Sequence, residues 1–471
     1  MSLTSDEVNF LVYRYLLEAG FTHAAFVFGA ESNVAKSGIS GKEVPVGALV
    51  SFVQKGFQYM ELEANLNEEG TDVYGEYTPL SARDILVKDI EELKVTVRDM
   101  KEAAQAEQQD FMAAGPREIA EAAVRRLAGH GAEVISLTWC PNSNLLASAS
   151  SDGTARIWDL EETGSSGSGR VCVCRHAPQG GAASAELTCV EWAPDGQLLA
   201  TGATDNAVRL FSREGVLRST LQGHRGMIMA VRWNKKGDLL LSGAMDGTLV
   251  VWDAKAGAQS KQYAHHASSV VDADWRNNTT FASCSQDGSI AICKLSDPKP
   301  QRHWQSAHSA DINSLRWEPS GKLLASCSDD GTVKIWQATA ERPLHTLAGH
   351  VGPVTAVRWG QSGSGKSHLA SCGEDGSVRV WDAEAGACVH EFSEHDTAVS
   401  IIAWSPDARY LASGDASGRL LVWSLRAGGV VRSLQAPSTI YDLRFNADST
   451  LLACCTSEAR PILVADLKRQ S

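Results

Sequence analysis

Three groups of residues in this 471-residue chain have types and spacing that could do chemistry. The first is a recurring set: His130, Ser148 and Asp152; His224, Ser242 and Asp246; His308, Ser326 and Asp330; His350, Ser371 and Asp375. One such set is the raw material of a hydrolase, in which an acid orients a base that deprotonates a serine. The second is "GQSGSGKS" at 360–367, which fits the phosphate-cradling pattern G-x-x-x-x-G-K-[ST] residue for residue. The third is the cysteines, 11 in all, with "CVC" at 172–174 and "CC" at 454–455.

Context removes each of these chemistries. A catalytic triad occurs once, beside a strained nucleophile turn. Here the set occurs four times, each with a tryptophan ten residues after the serine: Trp158, Trp252, Trp336 and Trp381. A phosphate loop needs a helix behind it, whose N-terminal N–H groups hold the anion. Lys366 is followed instead by "HLASCGEDGSVRVW", a strand pattern, so the sequence reads it as an exposed loop. The cysteines lack the CxxC pairs of a zinc site, and their odd number without an export signal fits reduced thiols packed as small hydrophobes. No catalytic residue, cofactor or metal is expected. A net charge of −13 argues against gripping nucleic acid, which needs a basic face. No apolar run reaches the roughly 18–20 residues of a membrane span. "MSLTSDEVNF" lacks a basic-then-apolar leader, so an intracellular protein is expected.

The elements that position these residues follow from the repeat. Asp152, Asp205, Asp246, Asp287, Asp330 and Asp375 lie 53, 41, 41, 43 and 45 residues apart. Ahead of each stands an aromatic residue, and the series Trp139, Trp192, Trp233, Trp275, Trp317, Trp359, Trp404 and Phe445 counts eight units. Each unit holds short alternating apolar runs bounded by turns such as "DDGT" and "PSGK", the pattern of antiparallel strands. Four strands per 40–45 residues make a propeller blade. With "IWD" at 157–159 and "VWD" at 251–253 and 380–382, residues 125–471 resemble the WD-repeat family. In that family the His, Ser, Asp and Trp of a blade form one hydrogen-bonded brace. Four complete braces are expected, in blades one, three, five and six. Blade four has Cys293 for Trp, blade two has Phe211 and an insertion, and blade seven has Ser417 where Asp is expected. Blade eight keeps none of the four. "AVRRLAGH" is the expected strand that completes the last blade and closes the ring.

The N-terminus has another grammar. In 3–32, Thr4 and Glu7 form a capping box, and Val8, Leu11, Val12, Tyr15 and Leu16 recur at helical spacing. A second short helix carries Ala24, Ala25, Phe26 and Phe28. "YLLEAGF" followed by "AAFVFGAES" resembles the LisH motif, a dimerising unit, which assigns oligomerisation to Val8, Leu11, Val12, Tyr15, Leu16, Phe21 and Phe26. A hairpin packed on its own chain is the other reading. A further amphipathic helix in 44–70, with Leu49, Phe52, Val53, Phe57 and Met60, follows. Together these stretches resemble the transducin-beta-like co-repressor subunits, whose N-terminus continues as an F-box-like region. From 84 to about 112, Leu86, Ile90, Leu93, Val97, Met100 and Ala104 form a short heptad seam. It serves either a coiled coil or a helix laid on the preceding domain. The expected fold is mainly β: a helical LisH and F-box-like domain (1–80), a helical or coiled-coil linker (81–124) and an eight-bladed propeller (125–471).

The resemblance implies a nuclear, non-enzymatic scaffold of a histone deacetylase co-repressor complex, with some protein in the cytoplasm. Its implied partners are a co-repressor polypeptide, a histone deacetylase and histone tails, and it assembles as a homodimer or homotetramer. The alternative is an F-box-like substrate adaptor that works with ubiquitin-ligase components. A cytoskeletal LisH–propeller class ranks last, because it lacks the "QKGFQYMELEANL" continuation. On the propeller, the residue before each blade's first strand points to the top face. Glu133, Glu186 and Asp311 stand there and would attract a lysine-rich tail.

Overall fold

A computed structural model describes residues 4–18, 22–32, 34, 44, 48–66, 80, 82–114, 117–161, 170–176, 185–361, 367–458 and 461–468. The chain divides into two compact units, 1–106 and 107–471.

The first unit contains helices α1 (Ser5–Glu18), α2 (Thr22–Glu31), α3 (Ala48–Asn65), α4 (Ala82–Val87) and most of α5 (Ile90–Ala114). Thr4 starts α1 with a reciprocal capping box: the Glu7 N–H donates to Thr4 Oγ1 (3.3 Å), and the Thr4 N–H donates to Glu7 Oε2 (2.7 Å). α2 lies close on α1, since a Cβ at Gly29 would meet Tyr13 Cε2 at 2.8 Å. A second capping box, Asp89 with Glu92, starts α5 and separates it from α4. That break cuts the heptad seam: Leu86 is 68% exposed on α4, while Leu93 and Val97 are buried with Ala64, Met60 and Leu80. Ile90, Leu93 and Val97 of the seam thus pack within their own unit.

The second unit is an eight-bladed propeller. Seven blades are consecutive four-stranded antiparallel sheets; blade five runs Ile312–Trp317, Leu323–Ser328, Thr332–Gln337, His345–Ala348. Middle strands such as "LLASCS" are buried nearly throughout, because both faces of the sheet are covered by neighbouring blades. Every first strand carries a β-bulge at the same point, as between Ile312 and Ser314. The first strands touch one another around the axis and close the ring from blade eight to blade one. The closing strand is β2 (Val124–Leu127), antiparallel to Ile462–Asp466, with Val124 opposite Ala465 and Leu127 opposite Ile462. A short β1 (Arg117–Glu118) adds a parallel fifth strand to blade seven.

Five tryptophans of the aromatic ladder, Trp139, Trp233, Trp275, Trp359 and Trp404, clasp the blades, while the buried indole N–H groups of Trp192 and Trp317 find no partner among the described residues. The indole N–H of Trp139 donates to the Arg444 carbonyl (3.0 Å), that of Trp275 to Arg232 (3.0 Å) and that of Trp404 to Arg358 (3.0 Å). Each bond crosses to the preceding blade. Phe445 has no N–H to offer.

Candidate binding face and the braces beneath it

Each brace is fixed by a strand-turn-strand unit and a histidine from the loop before the blade. In blade one, His130 Nδ1–H donates to Asp152 Oδ2 (2.9 Å), Ser148 Oγ–H donates to His130 Nε2 (2.7 Å), and Trp158 Nε1–H donates to Ser148 Oγ (2.9 Å). This tautomer lets every polar atom find a partner. Blade five repeats it through His308, Asp330 (2.9 Å), Ser326 (2.8 Å) and Trp336 (2.9 Å). Blade six does so through His350, Asp375 (3.1 Å), Ser371 (2.8 Å) and Trp381 (2.8 Å). Blade three is looser: Asp246 stands 3.5 Å from His224 Nδ1, whose near partner is Thr248 Oγ1 (3.0 Å). His224 Nε2 still meets Ser242 Oγ (2.7 Å), and Trp252 donates to the same oxygen (2.8 Å). Burial is the largest effect on each histidine and pulls it below its ordinary value, so the rings are neutral. The four sets lie one to a blade, not in one cleft.

Blade seven corrects the sequence reading. Ser417 does stand at the usual Asp position, yet the brace is complete: His395 bonds Asp415 (2.8 Å) and Ser413 (2.7 Å), and Trp423 donates to Ser413 (2.7 Å). Compared with Ser150 and Asp152 of blade one, the serine and aspartate have exchanged places, and Ser417 donates to Asp415 Oδ1 (2.8 Å). The alternating geometry of the strand end lets a carboxylate two residues earlier reach the same histidine.

Blade two carries a brace the sequence reading missed. His176 lies between the two parts of the insertion, so its distance from Trp192 departs from that of the other histidine-bearing blades. It bonds Thr201 Oγ1 through Nε2 (2.7 Å), and Arg209 Nη1 donates to its Nδ1 (2.7 Å). A guanidinium can only donate, so the tautomer is reversed here. Arg209 also pairs with Asp205 (2.6 Å). Burial, then Arg209, pushes His176 down to about 3. In blade four, His266 meets Ser283 (2.8 Å) and Ser289 (2.7 Å), and Cys293 occupies the Trp position.

The candidate binding face lies at the opposite end of the first strand from the aromatic ladder. The carbonyls of Glu133, Glu186 and Asp311 each accept the N–H of the residue after the second strand: Ser151 (3.0 Å), Thr204 (2.9 Å) and Asp329 (3.0 Å). Met227, Ser269, Pro353, Ala398 and Thr439 make the same bond in the other blades, so these are eight equivalent rim positions. Glu133 and Glu186 are exposed and Asp311 is half-buried. Two carboxylates that the sequence reading missed, Asp329 and Glu374, are exposed on the facing side of this rim. They sit beside the brace aspartates Asp330 and Asp375, and the repeat register alone could have found them. The rim is acidic in blades one, two, five and six.

On the helical unit, Val8 (41%), Tyr15 (41%) and Phe26 (75%) are exposed, and Val12 and Leu16 are half-buried. Leu11 is not part of that outer surface. It is 7% exposed, turned with Phe10 and Ala25 into the unit's own core. Phe21 and Lys366 lie outside the described residues. Among the described residues no cluster of His, Cys, Asp or Glu has metal-site geometry.

Comparison with known proteins agrees with this architecture. The family described as WD domain, G-beta repeat, matches residues 122–159, 172–212, 215–253, 299–337, 341–382 and 386–424, and the LisH family matches 6–32. The F-box-like/WD repeat-containing protein TBL1X of Mus musculus is 37% identical over 469 residues, covering 77% of this chain and 89% of that one. The WD40 repeat-containing protein HOS15 of Arabidopsis thaliana is 31% identical, with 74% and 79% covered. The crystal structure of the C-terminal WD40 domain of Sif2 superposes with a TM-score of 0.65 at 23% identity, over 74% of this chain and 99% of that domain, which bears on the fold alone. The chain belongs to the LisH and WD-repeat family of transducin-beta-like proteins, a family of WD-repeat scaffolds.

Proposed function

We propose that this chain is a non-enzymatic scaffold of a nuclear histone deacetylase co-repressor complex. It assembles through the LisH helices, engages a co-repressor polypeptide there, and holds basic histone tails on the acidic rim. The deacetylase is a partner, and some of the protein resides in the cytoplasm. The observation that carries this reading is the rim itself: carboxylates from four blades, Glu133, Glu186, Asp311, Asp329 and Glu374, on one face of a ring whose polar interior is occupied by bracing. A lysine-rich tail pairs with several of them at once, and acetylation removes its charge. Each exposed pair contributes at most about 1 kcal/mol, so affinity needs several.

The test is binding of unacetylated and acetylated tail peptides to the full chain and to its Glu133→Ala/Glu186→Ala/Asp311→Ala variant. The unacetylated peptide binds the parent, acetylation weakens it, and the triple variant loses at least about tenfold. Unchanged binding by the variant rejects the rim. Copurification with Skp-type ligase subunits, without deacetylase or co-repressor, would favour the substrate-adaptor reading.

A further inference from the structure

The rim does not use the charges deeper along the axis. One residue before the ladder aromatic, blades two to five read Glu191, Arg232, Asp274 and Arg316, alternating in sign. Arg232 pairs with Asp272 of blade four (3.1 Å), Arg316 pairs with the same carboxylate (2.5 Å), and the Trp233 N–H donates to Glu191 (2.6 Å). Then the alternation stops. Blades six, seven and eight place Arg358, Ala403 and Arg444 at this position, opposite Ala370, Ala412 and Ala453 in the same register of the second strand. Arg444 keeps Asp442 (3.2 Å). Arg358 has no carboxylate within 4.0 Å among the described residues; its Nη1 donates to Ser314 Oγ (3.1 Å) and the Val357 carbonyl (2.8 Å).

Arg358 is half-buried, and a guanidinium partly withdrawn from water without a counter-charge is costly. The neighbouring charges increase the cost. Burial first, then Arg316 and Arg444, pull Arg358 down to about 9, outweighing Asp272 and Asp442. Ala403 holds the same register position in blade seven, between the blades that carry the two arginines.

We propose that Arg358, flanked by Arg316 and Arg444, forms a binding site for a small tetrahedral oxyanion of the phosphate or sulfate class on the propeller axis. The planar donor fork of arginine matches such oxygens. The site is separate from the acidic rim: Pro353, the blade-six rim position, lies five residues upstream of Arg358, about 17 Å along an extended strand. One face draws basic groups while the other end of the axis holds an anion.

The experiment is thermal melting and calorimetric titration of the full chain with inorganic phosphate, against chloride at matched ionic strength. Binding to the folded state alone raises the melting temperature with ligand concentration. Phosphate at 10 mM is expected to raise the parent's propeller transition by several degrees. Arg358→Met is expected to lose that rise and, in chloride, to melt at or above the parent, because a half-buried charge without a carboxylate partner has gone. Ala403→Glu, which supplies a carboxylate to Arg358 and Arg444, is expected to behave alike, and Arg358→Lys to bind about tenfold more weakly. No phosphate response in the parent overturns the site. So does an equal response in Arg358→Met, whatever that variant's basal melting temperature.

Discussion

The propeller and the helical unit solve burial differently. In the propeller each blade covers its neighbour, leaving fully buried Trp252, Trp423 and Phe281, and the polar brace atoms are paired. In the helical unit, although Phe10 is buried, several large apolar side chains stay outside: Phe26 is 75% exposed, Tyr59 67% and Phe52 53%. Monomeric proteins seldom leave such residues bare together. One unit is complete within a single chain, and the other has the surface of a fold finished by copies of itself or by partners. The proposed assembly through LisH fits that contrast.

The sharpest way to break the contrast is to open the ring. A chain beginning at residue 117 retains β2 and should melt within a few degrees of the parent propeller. A chain beginning at residue 129 loses the four-residue pairing with Ile462–Asp466 and the buried Leu127. Burying a leucine contributes about 1.5–3 kcal/mol and each ladder bond about 1 kcal/mol, a sum of about 5 kcal/mol that rivals a domain's whole stability. Melting and light scattering should show a collapsed transition and aggregation on the bared strand edge.

Acid should separate the units next. Seven brace histidines, His130, His176, His224, His266, His308, His350 and His395, titrate below the ordinary value of 6.5, chiefly from burial. A folded value below the unfolded one means that the unfolded chain binds more protons in the interval between them. Stability is therefore full above pH 6.5 and falls as the pH drops toward about 4 for His266 and about 3 for His176. Each unit of displacement corresponds to about 1.4 kcal/mol, so the propeller's melting temperature should fall steeply between pH 6.5 and 4. A flat profile would show these rings to be charged in the fold.

Within the helical unit the contrast is inside against outside. Leu11→Glu buries a charge in the unit's core and should abolish its helical transition in circular dichroism, a loss of about 3 kcal/mol or more. Phe26→Glu adds a charge where the side chain is already in solvent. It should keep the helices and lower the assembly state in sedimentation. If both variants fold and both dissociate, Leu11 belongs to the interface after all.

What the sequence showed, and what it hid, follows from how each signal is written. The ring was legible because the aromatic ladder holds register through eight units and the Asp repeat through six. Blade-seven bracing was hidden because a serine and an aspartate exchanged places, which alters the spelling and not the geometry. His176 was hidden by the insertion that shifts its distance from Trp192. Asp329 and Glu374 adjoin brace aspartates, and in the repeat the bracing signal masks a second carboxylate beside it. Leu11 has the same helical periodicity as Val8 and Tyr15, and periodicity alone cannot tell an inner stripe from an outer one. Arg358 stands out only once the charges of neighbouring blades are placed in space.

The finest comparison is between two braces of the ring. Asp415 is fully buried with His395, and its carboxylate also accepts the Ser417 and Arg419 N–H groups at 2.9 and 2.8 Å. Asp415→Ala leaves those donors unpaired at about 2–3 kcal/mol. Asp246→Ala also frees two N–H groups, those of Arg225 (2.6 Å) and Thr248 (2.9 Å), but Arg225 is exposed to water and His224 keeps Thr248, so it should cost less, about 1–2 kcal/mol. Ser417→Asp alone places a second carboxylate where Ser417 Oγ now donates to Asp415, so it should destabilise. Combined with Asp415→Ser it restores the order of blade one and should recover most of the loss, measured as a double-mutant cycle of denaturant midpoints. Additive costs in that cycle would mean that blade seven is braced by its backbone and not by the exchanged pair.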